Sequence, residues 1–242
     1  MNRIKTTLTQ LWKRTPFSFR SKMHSIKHRF NSNYFLLQLS SPIRHRKTCK
    51  KLRSLKGPAD VLVGESYYLP GWVSTNYQVL CRNLLDVTKE FHNVQNLRYV
   101  VADNVIEHLT LLQGRMMLMN IYKSMESNGV IRIATPDLKG ICDAYISRDA
   151  LKLIDFSNDM RQFNLNIDDF PDLFRVTYCC FGHNKGYIYD FETLKLELER
   201  AGFTKVTKFL PGISEIENFK GIEKRKGLSD TWGQLCVEAS KN

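Results

Sequence analysis

The fold is decided by Asp60–Gly64, whose sequence is Asp-Val-Leu-Val-Gly. Val61, Leu62 and Val63 form an unbroken apolar run, which is typical of a short strand that is buried on both faces. A glycine directly after such a strand lets the backbone turn or approach a ligand closely. The stretch therefore predicts the first strand of a parallel sheet, with a turn at Gly64.

Strand-like and helix-like segments alternate downstream of this stretch. β-favouring residues predict a strand at Leu97–Ala102, and Val130–Ala134 is predicted as another buried strand. Thr204–Leu210 and Gly233–Ala239 are predicted as the final strands. Apolar residues at helical spacing predict helices at Leu109–Ser127, Asp137–Arg148, Leu151–Phe163 and Phe191–Ala201. This alternation predicts an α/β fold with a mostly parallel sheet and helices on both faces.

Positive charge is concentrated at the start of the chain. Residues 1–59 hold fifteen Lys/Arg and no Asp or Glu, whereas the remaining residues hold 21 Lys/Arg and 24 Asp/Glu. The pair Gly57-Pro58 is a strong turn signal between the two compositions. We therefore predict a basic, weakly helical N-terminal arm over residues 1–58 and one domain over residues 59–242.

The acid-free arm has several interpretations. It can attract an anionic membrane surface, a polyanionic glycan or nucleic acid. It can equally be a solvated tail, or a helix that packs on the domain with its charges outward. A mitochondrial transit peptide is also open, because the arm is rich in Arg, Lys, Ser and Thr. No apolar run approaches the ~20 residues that span a bilayer, so we expect a cytoplasmic protein, which the arm could hold at a membrane surface.

The six cysteines show no metal-binding or disulfide pattern. No CxxC pair occurs, and Cys179 and Cys180 are adjacent. Buried free thiols in a reducing compartment are therefore expected, and no metal site is predicted.

Polar residues follow several of the predicted strands. They are Gly64–Ser66, Asn76, Asp86, Asp103-Asn104 and Thr135–Asp137. In an open parallel sheet, ligands bind at the carboxyl ends of the strands. These positions suit a nucleoside-like ligand, although polar turn residues also fall naturally at strand ends.

Short motifs follow one another in a fixed order across residues 59–240. Val61–Trp72 is followed by Glu107-His108-Leu109 and by Ile131–Leu138. Others are Phe163-Asn164, Gly182-His183, Tyr187–Asp190, Ala201–Phe203 and Ser214–Glu223. The ordered set resembles a family of predicted class I, type 11-like S-adenosylmethionine (SAM)-dependent methyltransferases, which often occur in surface-polysaccharide gene sets. The resemblance implies a Rossmann-like, seven-stranded fold, SAM as cofactor, and a sugar, glycan or small-molecule acceptor.

The resemblance also implies which residues bind the cofactor. Gly64 matches the first glycine of the family's G-x-G motif, and Asp86 matches the acid beside the adenine. Asp103 and Asn104 match the pair that flanks the cofactor. Ser66 stands at the position of the second glycine of the same motif and is also predicted to contact the cofactor.

Three positions depart from the family pattern. Ser66 replaces the second glycine, Asn76 replaces the acid that binds the ribose, and Arg98 stands where relatives often carry an acid. Asn76 can still hydrogen-bond a hydroxyl, but it loses a charge-assisted bond, which is roughly twice as strong as a neutral one. Two interpretations therefore stand: an active methyltransferase, or a methyltransferase-fold binding protein that has lost its cofactor. A third is an RNA methyltransferase that uses the basic arm, although no RNA-binding motif is present.

Three residues are candidates for the base that a hydroxyl acceptor requires, namely His108, Asp137 and His183. Each also has a structural alternative. His108 can orient its loop, Asp137 can cap the next helix, and His183 can be a surface-loop histidine. Glu107 is expected to be a buried hydrogen-bonding partner rather than a catalyst.

Overall fold

The computed structural model describes residues 39–64, 69–78, 81–223 and 227–242. The chain divides into two compact units, residues 1–43 and Arg44–Asn242. The predictions for residues 1–38 of the arm lie outside the described residues, and so does the predicted cofactor contact at Ser66.

One six-stranded sheet organises the larger unit. Its strands are β1 (Ala59–Val63), β2 (Trp72–Ser74), β3 (Leu97–Asp103), β4 (Met125–Pro136), β5 (Thr204–Phe209) and β6 (Gln234–Ser240). They lie side by side in the order β2-β1-β3-β4-β6-β5. The first four strands in this order pair in parallel, and β6 pairs antiparallel with both β4 and β5. The prediction of a mostly parallel sheet is therefore confirmed.

The seven strands implied by the family resemblance are not found among the described residues. Beyond the edge strand β2, Asn76 and Leu84 form only an isolated parallel bridge. Asp86 then starts a turn, because its Oδ1 accepts a hydrogen bond of 3.0 Å from the Thr88 backbone N–H. The turn begins too soon after Leu84 for the bridge to extend into a seventh strand.

Seven helices accompany the strands in the described residues. They are α1 (Ser41–Arg53), α2 (Leu111–Ser124), α3 (Leu138–Ser147), α4 (Ala150–Met160), α5 (Pro171–Cys179), α6 (Phe191–Ala201) and α7 (Asp230–Gly233). Thr110 begins α2 and Asp190 begins α6 through capping boxes, which satisfy backbone N–H groups at the helix start. The four helices predicted from spacing are present: α6 has the predicted ends, and the other three have shifted ends. Helices α5 and α7 were not predicted.

One face of the sheet carries the main hydrophobic core. Alternate strand residues, such as Val61 and Val63 of β1 and Ile131 and Ile133 of β4, point into this core. Helices α1, α2 and α6 contribute the residues that pack with them, which are Cys49, Leu52, Met117, Leu118, Ile121, Leu194 and Leu198. This face has the helical cover that the sequence predicts.

The opposite face differs from the prediction of helices on both sides. In the described part of the chain, Leu62 and Val101 pack there against Phe219 and Ile222. Those two residues lie in an irregular segment with one short 3-10 helix, Glu217–Phe219. Arg132 is fully buried on this face, and an irregular segment can offer it backbone carbonyls that a helix would use internally.

The domain begins earlier than residue 59. Cys49 and Leu52 of α1 are buried in the core, whereas the basic side chains of Arg46, Lys50 and Arg53 are exposed. From Arg44 onward, the predicted arm is therefore part of the compact unit. This stretch matches the interpretation of a helix packed with its charges outward.

Candidate functional site

The strand order creates a topological switch point between β1 and β3. The chain moves from β1 to β2 on one side, and β3 then pairs with β1 on the other side. In open α/β sheets, ligands bind in the crevice outside the carboxyl ends of the strands at such a point. Gly64 follows β1 and Asn104 follows β3, so these two residues flank the crevice.

Gly64 has a backbone that requires glycine. Its φ is +79°, in the left-handed region, and a Cβ at this position would lie 2.4 Å from Cγ2 of Val105. The Gly64 carbonyl accepts a hydrogen bond of 2.9 Å from the side-chain amide of Asn76. The turn after β1 is therefore fixed by close packing on one side and by a hydrogen bond on the other.

Asn76 and Asp86 support their own loops in this structure. The Asn76 side chain donates to Gly64 and accepts a hydrogen bond of 2.9 Å from the Gln78 backbone. Oδ1 of Asp86 accepts from both the backbone N–H and the hydroxyl of Thr88, at 3.0 and 2.6 Å. The predicted ribose and adenine contacts thus come from side chains that already have local structural partners.

Asn104 differs from the other predicted cofactor residues, because its side-chain oxygen is buried and has no hydrogen-bond partner among the described residues. Its backbone is left-handed, with a φ of +50°, and its N–H donates to the Ala134 carbonyl at 2.8 Å. Asn104 also lines the cavity described next. Asp103, the last residue of β3, is half-buried beside it. Asn104 therefore places a buried, unpaired amide oxygen beside the switch point, which a ligand reaches only where the atoms that cover it move aside.

A cavity of about 740 Å³ extends from Asn104 past the end of β4. A volume of this size is typical of small-molecule sites, which run to roughly 300–1,000 Å³. Its near wall holds Asn104, His108 and His183. Its far wall combines aromatic side chains with polar ones, among them Phe156, Phe163, Asn158, Asp159 and Ser229. Phe181 lies beside His183, with the ring centroids 6.1 Å apart.

His108 and His183 meet at this cavity, as the ring centroids are 4.8 Å apart with the planes at 60°. Two short 3-10 helices position them, Ile106–His108 and His183–Lys185. His183 is buried, and its Nδ1 lies 2.6 Å from the Thr177 carbonyl. A carbonyl only accepts, so Nδ1 carries the proton and Nε2 is the nitrogen left for other chemistry. Nε2 lies 4.0 Å from Oε1 of Glu107.

His108 is exposed but is held as a neutral imidazole near neutral pH. Partial burial of the ring and the neighbouring His183 lower its pKa below the usual 6.5, against an opposing hydrogen bond to the Gly182 backbone. A neutral imidazole can accept a proton or bind a metal ion. His108 and His183 were both predicted as site residues, and the structure brings them together.

Asp137, the third candidate base, has structural roles in the described residues. Its Oδ1 accepts a hydrogen bond of 3.1 Å from the Lys139 backbone at the start of α3. Its Oδ2 forms an ion pair of 2.8 Å with Lys208. Asp137 therefore matches the helix-cap alternative, and it is not among the residues that line the cavity.

Sequence reasoning missed the far wall of the cavity. Asp159 of α4 and Ser229 come from distant parts of the chain and are joined by a hydrogen bond of 2.9 Å from the Ser229 backbone. Neither belongs to a recognisable motif, and their proximity depends on how α4 packs. No signal in the sequence alone would have paired them.

The fold defines an α/β protein with a mostly parallel sheet, and Asn104, beside the switch point of that sheet, also lines the cavity. Neither protein-family models nor curated proteins give a match to this sequence. Each helix in the described part of the chain is too short or too polar to span a bilayer.

Comparison with solved structures finds SAM-dependent methyltransferases at low similarity. The CurJ carbon methyltransferase aligns at 12% identity and a TM-score of 0.45, over 79% of this chain and 50% of that one. This chain thus spans about half the length of that neighbour. A SAM-dependent methyltransferase from Thermotoga maritima aligns at 11% identity and a TM-score of 0.40, over 88% of this chain and 95% of that one. PigF, solved with SAH, aligns at 11% identity and a TM-score of 0.40, over 93% and 62%. At this level, the alignments assign neither a family nor an activity.

Proposed function

We propose that the protein is a SAM-dependent methyltransferase, with the methyl donor at the Gly64–Asn104 switch point and the acceptor in the adjoining cavity. The observation behind this proposal is the buried side-chain oxygen of Asn104, which has no partner in the described residues and lies at the switch point. An unpaired buried acceptor costs about 1–3 kcal/mol, so a ligand that donates to it gains affinity. The amino groups of SAM are donors of this kind.

The residues around the switch point fit SAM, the proposed methyl donor, in part. Asn104 supplies a buried acceptor, and the turn at Gly64 packs against Val105 so closely that only glycine fits there. Asn76 and Asp86 would have to bind the ribose and the adenine while keeping their loop contacts. When bound, SAM would supply a methyl group on a positively charged sulfur that a nucleophile can attack.

His108 is the residue we assign to the proton of a hydroxyl acceptor. Its lowered pKa leaves a neutral nitrogen near neutral pH, and it lines the cavity. His183 lies against it and is oriented by Thr177. His108 would thus accept the proton, while His183 would position it.

The far wall of the cavity suits a sugar or glycan acceptor. Phe156 and Phe163 offer apolar surfaces, while Asp159 and Ser229 offer polar groups that can bind hydroxyls. A sugar ring needs both, because it has apolar faces and a polar edge. A small hydroxylated molecule other than a sugar meets the same requirement.

Calorimetry with SAM and SAH on the full chain tests the proposal. Asn104→Gly tolerates the left-handed backbone but removes the acceptor, whereas Asn104→Asp tolerates the backbone and keeps an oxygen. We expect Asn104→Gly to weaken binding by about 10- to 150-fold, the loss of one charged hydrogen bond of roughly 1.5–3 kcal/mol. Asn104→Asp should bind within a few fold of the native chain. No heat and no thermal shift at millimolar ligand would end the enzyme proposal.

A second candidate is a binding module that has lost SAM. The observation in its favour is that the side chains of Asn76 and Asp86 are engaged within their own loops. The double substitution Ser66→Gly with Asn76→Asp restores the family pattern. Activity that appears only in the substituted chain would establish this second candidate.

We also propose that the basic arm binds an anionic surface. Removal of residues 1–38 takes away eight Lys/Arg and leaves α1 intact. Binding to vesicles with anionic lipids should fall on truncation, and it should weaken as salt increases. Retention of RNA instead, with a steep salt dependence that truncation abolishes, would favour the RNA methyltransferase alternative.

A further inference from the structure

Glu107, His108 and His183 converge on the near wall of the cavity. One ligand-type atom from each side chain lies within 4.8 Å of those of the other two. Glu107 and His183 are buried and His108 is exposed. Two imidazoles and one carboxylate, with one side open, form the ligand set of many catalytic zinc sites.

The backbone holds the two halves of this cluster together tightly. A Cβ at Gly186 would lie 1.6 Å from the Glu107 carbonyl oxygen. The Tyr187 backbone N–H donates to the Leu109 carbonyl at 2.9 Å. The short 3-10 helix that positions Glu107 and His108 is therefore fixed against the segment that follows His183.

Both buried members of the cluster have outer partners that orient them. Nδ1 of His183 donates to the Thr177 carbonyl at 2.6 Å, which directs Nε2 toward Glu107. Oε2 of Glu107 accepts a hydrogen bond of 3.2 Å from the Thr135 hydroxyl. Metal-binding histidines almost always donate their other N–H to a carbonyl or carboxylate, and metal-binding carboxylates are hydrogen-bonded in turn.

We propose that Glu107, His108 and His183 bind a divalent transition-metal ion, with zinc as the best match. Two imidazole nitrogens favour zinc over magnesium or calcium, which prefer oxygen ligands. Bond lengths of about 2.0–2.1 Å place tetrahedral ligands about 3.3 Å apart. The cluster must therefore contract by roughly 1.5 Å at its widest separation. The buried pair His183 and Glu107, 4.0 Å apart, must itself close by about 0.7 Å. His108 and His183 both line the cavity, so a ligand in the cavity could complete the coordination.

This inference is independent of the methyl donor. A metal-bound His108 nitrogen cannot accept a proton, so a bound metal ion would replace the role of His108 as proton acceptor in the proposed function. Metal binding is therefore measured without methyl donor or acceptor. Failure to bind metal would leave the methyltransferase proposal standing, and failure to bind SAM would leave the metal site standing.

Calorimetry with ZnCl₂ on the chelator-treated full chain tests the site. We expect one ion per chain, and at least a tenfold weaker affinity in His183→Ala and in His108→Ala. Thr135→Val removes only the hydroxyl that supports Glu107, and it should weaken binding about 10- to 100-fold. His92→Ala, a histidine outside the cluster, should bind like the native chain.

Cobalt substitution separates this site from binding by thiols. Co²⁺ should give the visible bands of a tetrahedral site without a thiolate charge-transfer band, and Cys179→Ser with Cys180→Ser should leave those bands unchanged. Because His108 is exposed, His108→Ala should fold normally even if His183→Ala does not. Native zinc affinity in a folded His108→Ala chain, or a thiolate band in the cobalt spectrum, would overturn the proposal.

Discussion

Replacing Glu223 with glutamine should strongly destabilise the domain. The Arg132 side chain is fully buried on the sheet face opposite the main core, and the Glu223 side chain is fully buried with it. Glu223 accepts two hydrogen bonds from the guanidinium, at 2.6 and 2.8 Å. Arg132 also donates to Glu238 and to the carbonyls of Leu210 and Ile213. The network therefore fastens the irregular segment around residues 210–223 to the sheet.

The magnitude follows from the contacts of each oxygen. Oε2 of Glu223 accepts from both Arg132 and the Gly212 backbone N–H, the latter at 2.8 Å. A glutamine places an NH₂ group against these donors, or against Nε of Arg132 if it flips. Breaking a buried ion pair by removing one partner costs about 3–5 kcal/mol. For a domain of this size, 1 kcal/mol shifts Tm by roughly 2–4 °C, so we expect Glu223→Gln to lower Tm by roughly 6–20 °C.

Thermal and urea unfolding, followed by circular dichroism, measure this effect. Glu217→Gln is the matched control, because Glu217 lies in the same segment and pairs with Lys220 in solvent. An exposed pair contributes about 0–1 kcal/mol, so the control should unfold close to the native chain. Equal Tm values for Glu223→Gln and Glu217→Gln would refute the role of Glu223 as a buried anchor.

The same network predicts a pH dependence. Burial raises the pKa of Glu223, but the hydrogen bonds and charge of Arg132 outweigh it, so the pKa lies below the usual 4.5. A carboxyl with a lowered pKa in the folded state contributes stability above its unfolded pKa and loses it as pH falls through the folded pKa. The stability gap between the native chain and Glu223→Gln should therefore be full at neutral pH and should narrow below about pH 4.5.

Three other outcomes follow from individual residues. Gly64→Ala should cost about 2–4 kcal/mol in urea unfolding, because it adds left-handed strain and a clash with Val105, and a native unfolding midpoint would contradict the geometry. Burial raises the pKa of Cys49 to about 11, so iodoacetamide should modify the exposed Cys179 long before Cys49. Equal labelling of the two cysteines in mass spectrometry would contradict this order of reactivity. Titration of His108 by NMR should give a pKa below 6.5, whereas a value at or above 6.5 would argue against a neutral imidazole at the cavity.

The sequence predicted the centre of the sheet well. Val61–Val63 is an unbroken apolar run, and Val130–Ala134 is apolar except for Arg132. Strands that are buried on both faces require such runs. The polar cover of the second face could not be predicted, because Arg132 finds its partners 91 and 106 residues away. Helix α5 was missed, and the bridge at Asn76 is too short to leave a periodic signal.

The start of the domain was misjudged for a physical reason. The exposed face of α1 is strongly basic, and its buried face needs only a few side chains, such as Cys49 and Leu52. The amino-acid composition of α1, averaged over both faces, therefore resembles that of a free basic arm, although the helix packs on the core. Only the tertiary structure shows which face is buried.

The candidate site was predicted in part. His108 and His183 were chosen separately. They lie 75 residues apart in the sequence, and no sequence pattern indicates that their rings are neighbours in the fold. Asn104 was chosen through its match to a motif, whereas its unpaired oxygen depends on local packing. The hydrogen bonds that Asn76 and Asp86 form within their own loops could not be predicted from the sequence either, because they depend on the conformation of those loops.

A crystal structure of the full chain grown with millimolar SAH tests the central claim most directly. The account predicts ligand density in the crevice between Gly64 and Asn104, with a ligand donor within hydrogen-bonding distance of Oδ1 of Asn104. Density should leave the part of the cavity beside Phe156 and Asp159 open for an acceptor. An empty crevice at that concentration, or SAH bound away from the switch point, would contradict the account.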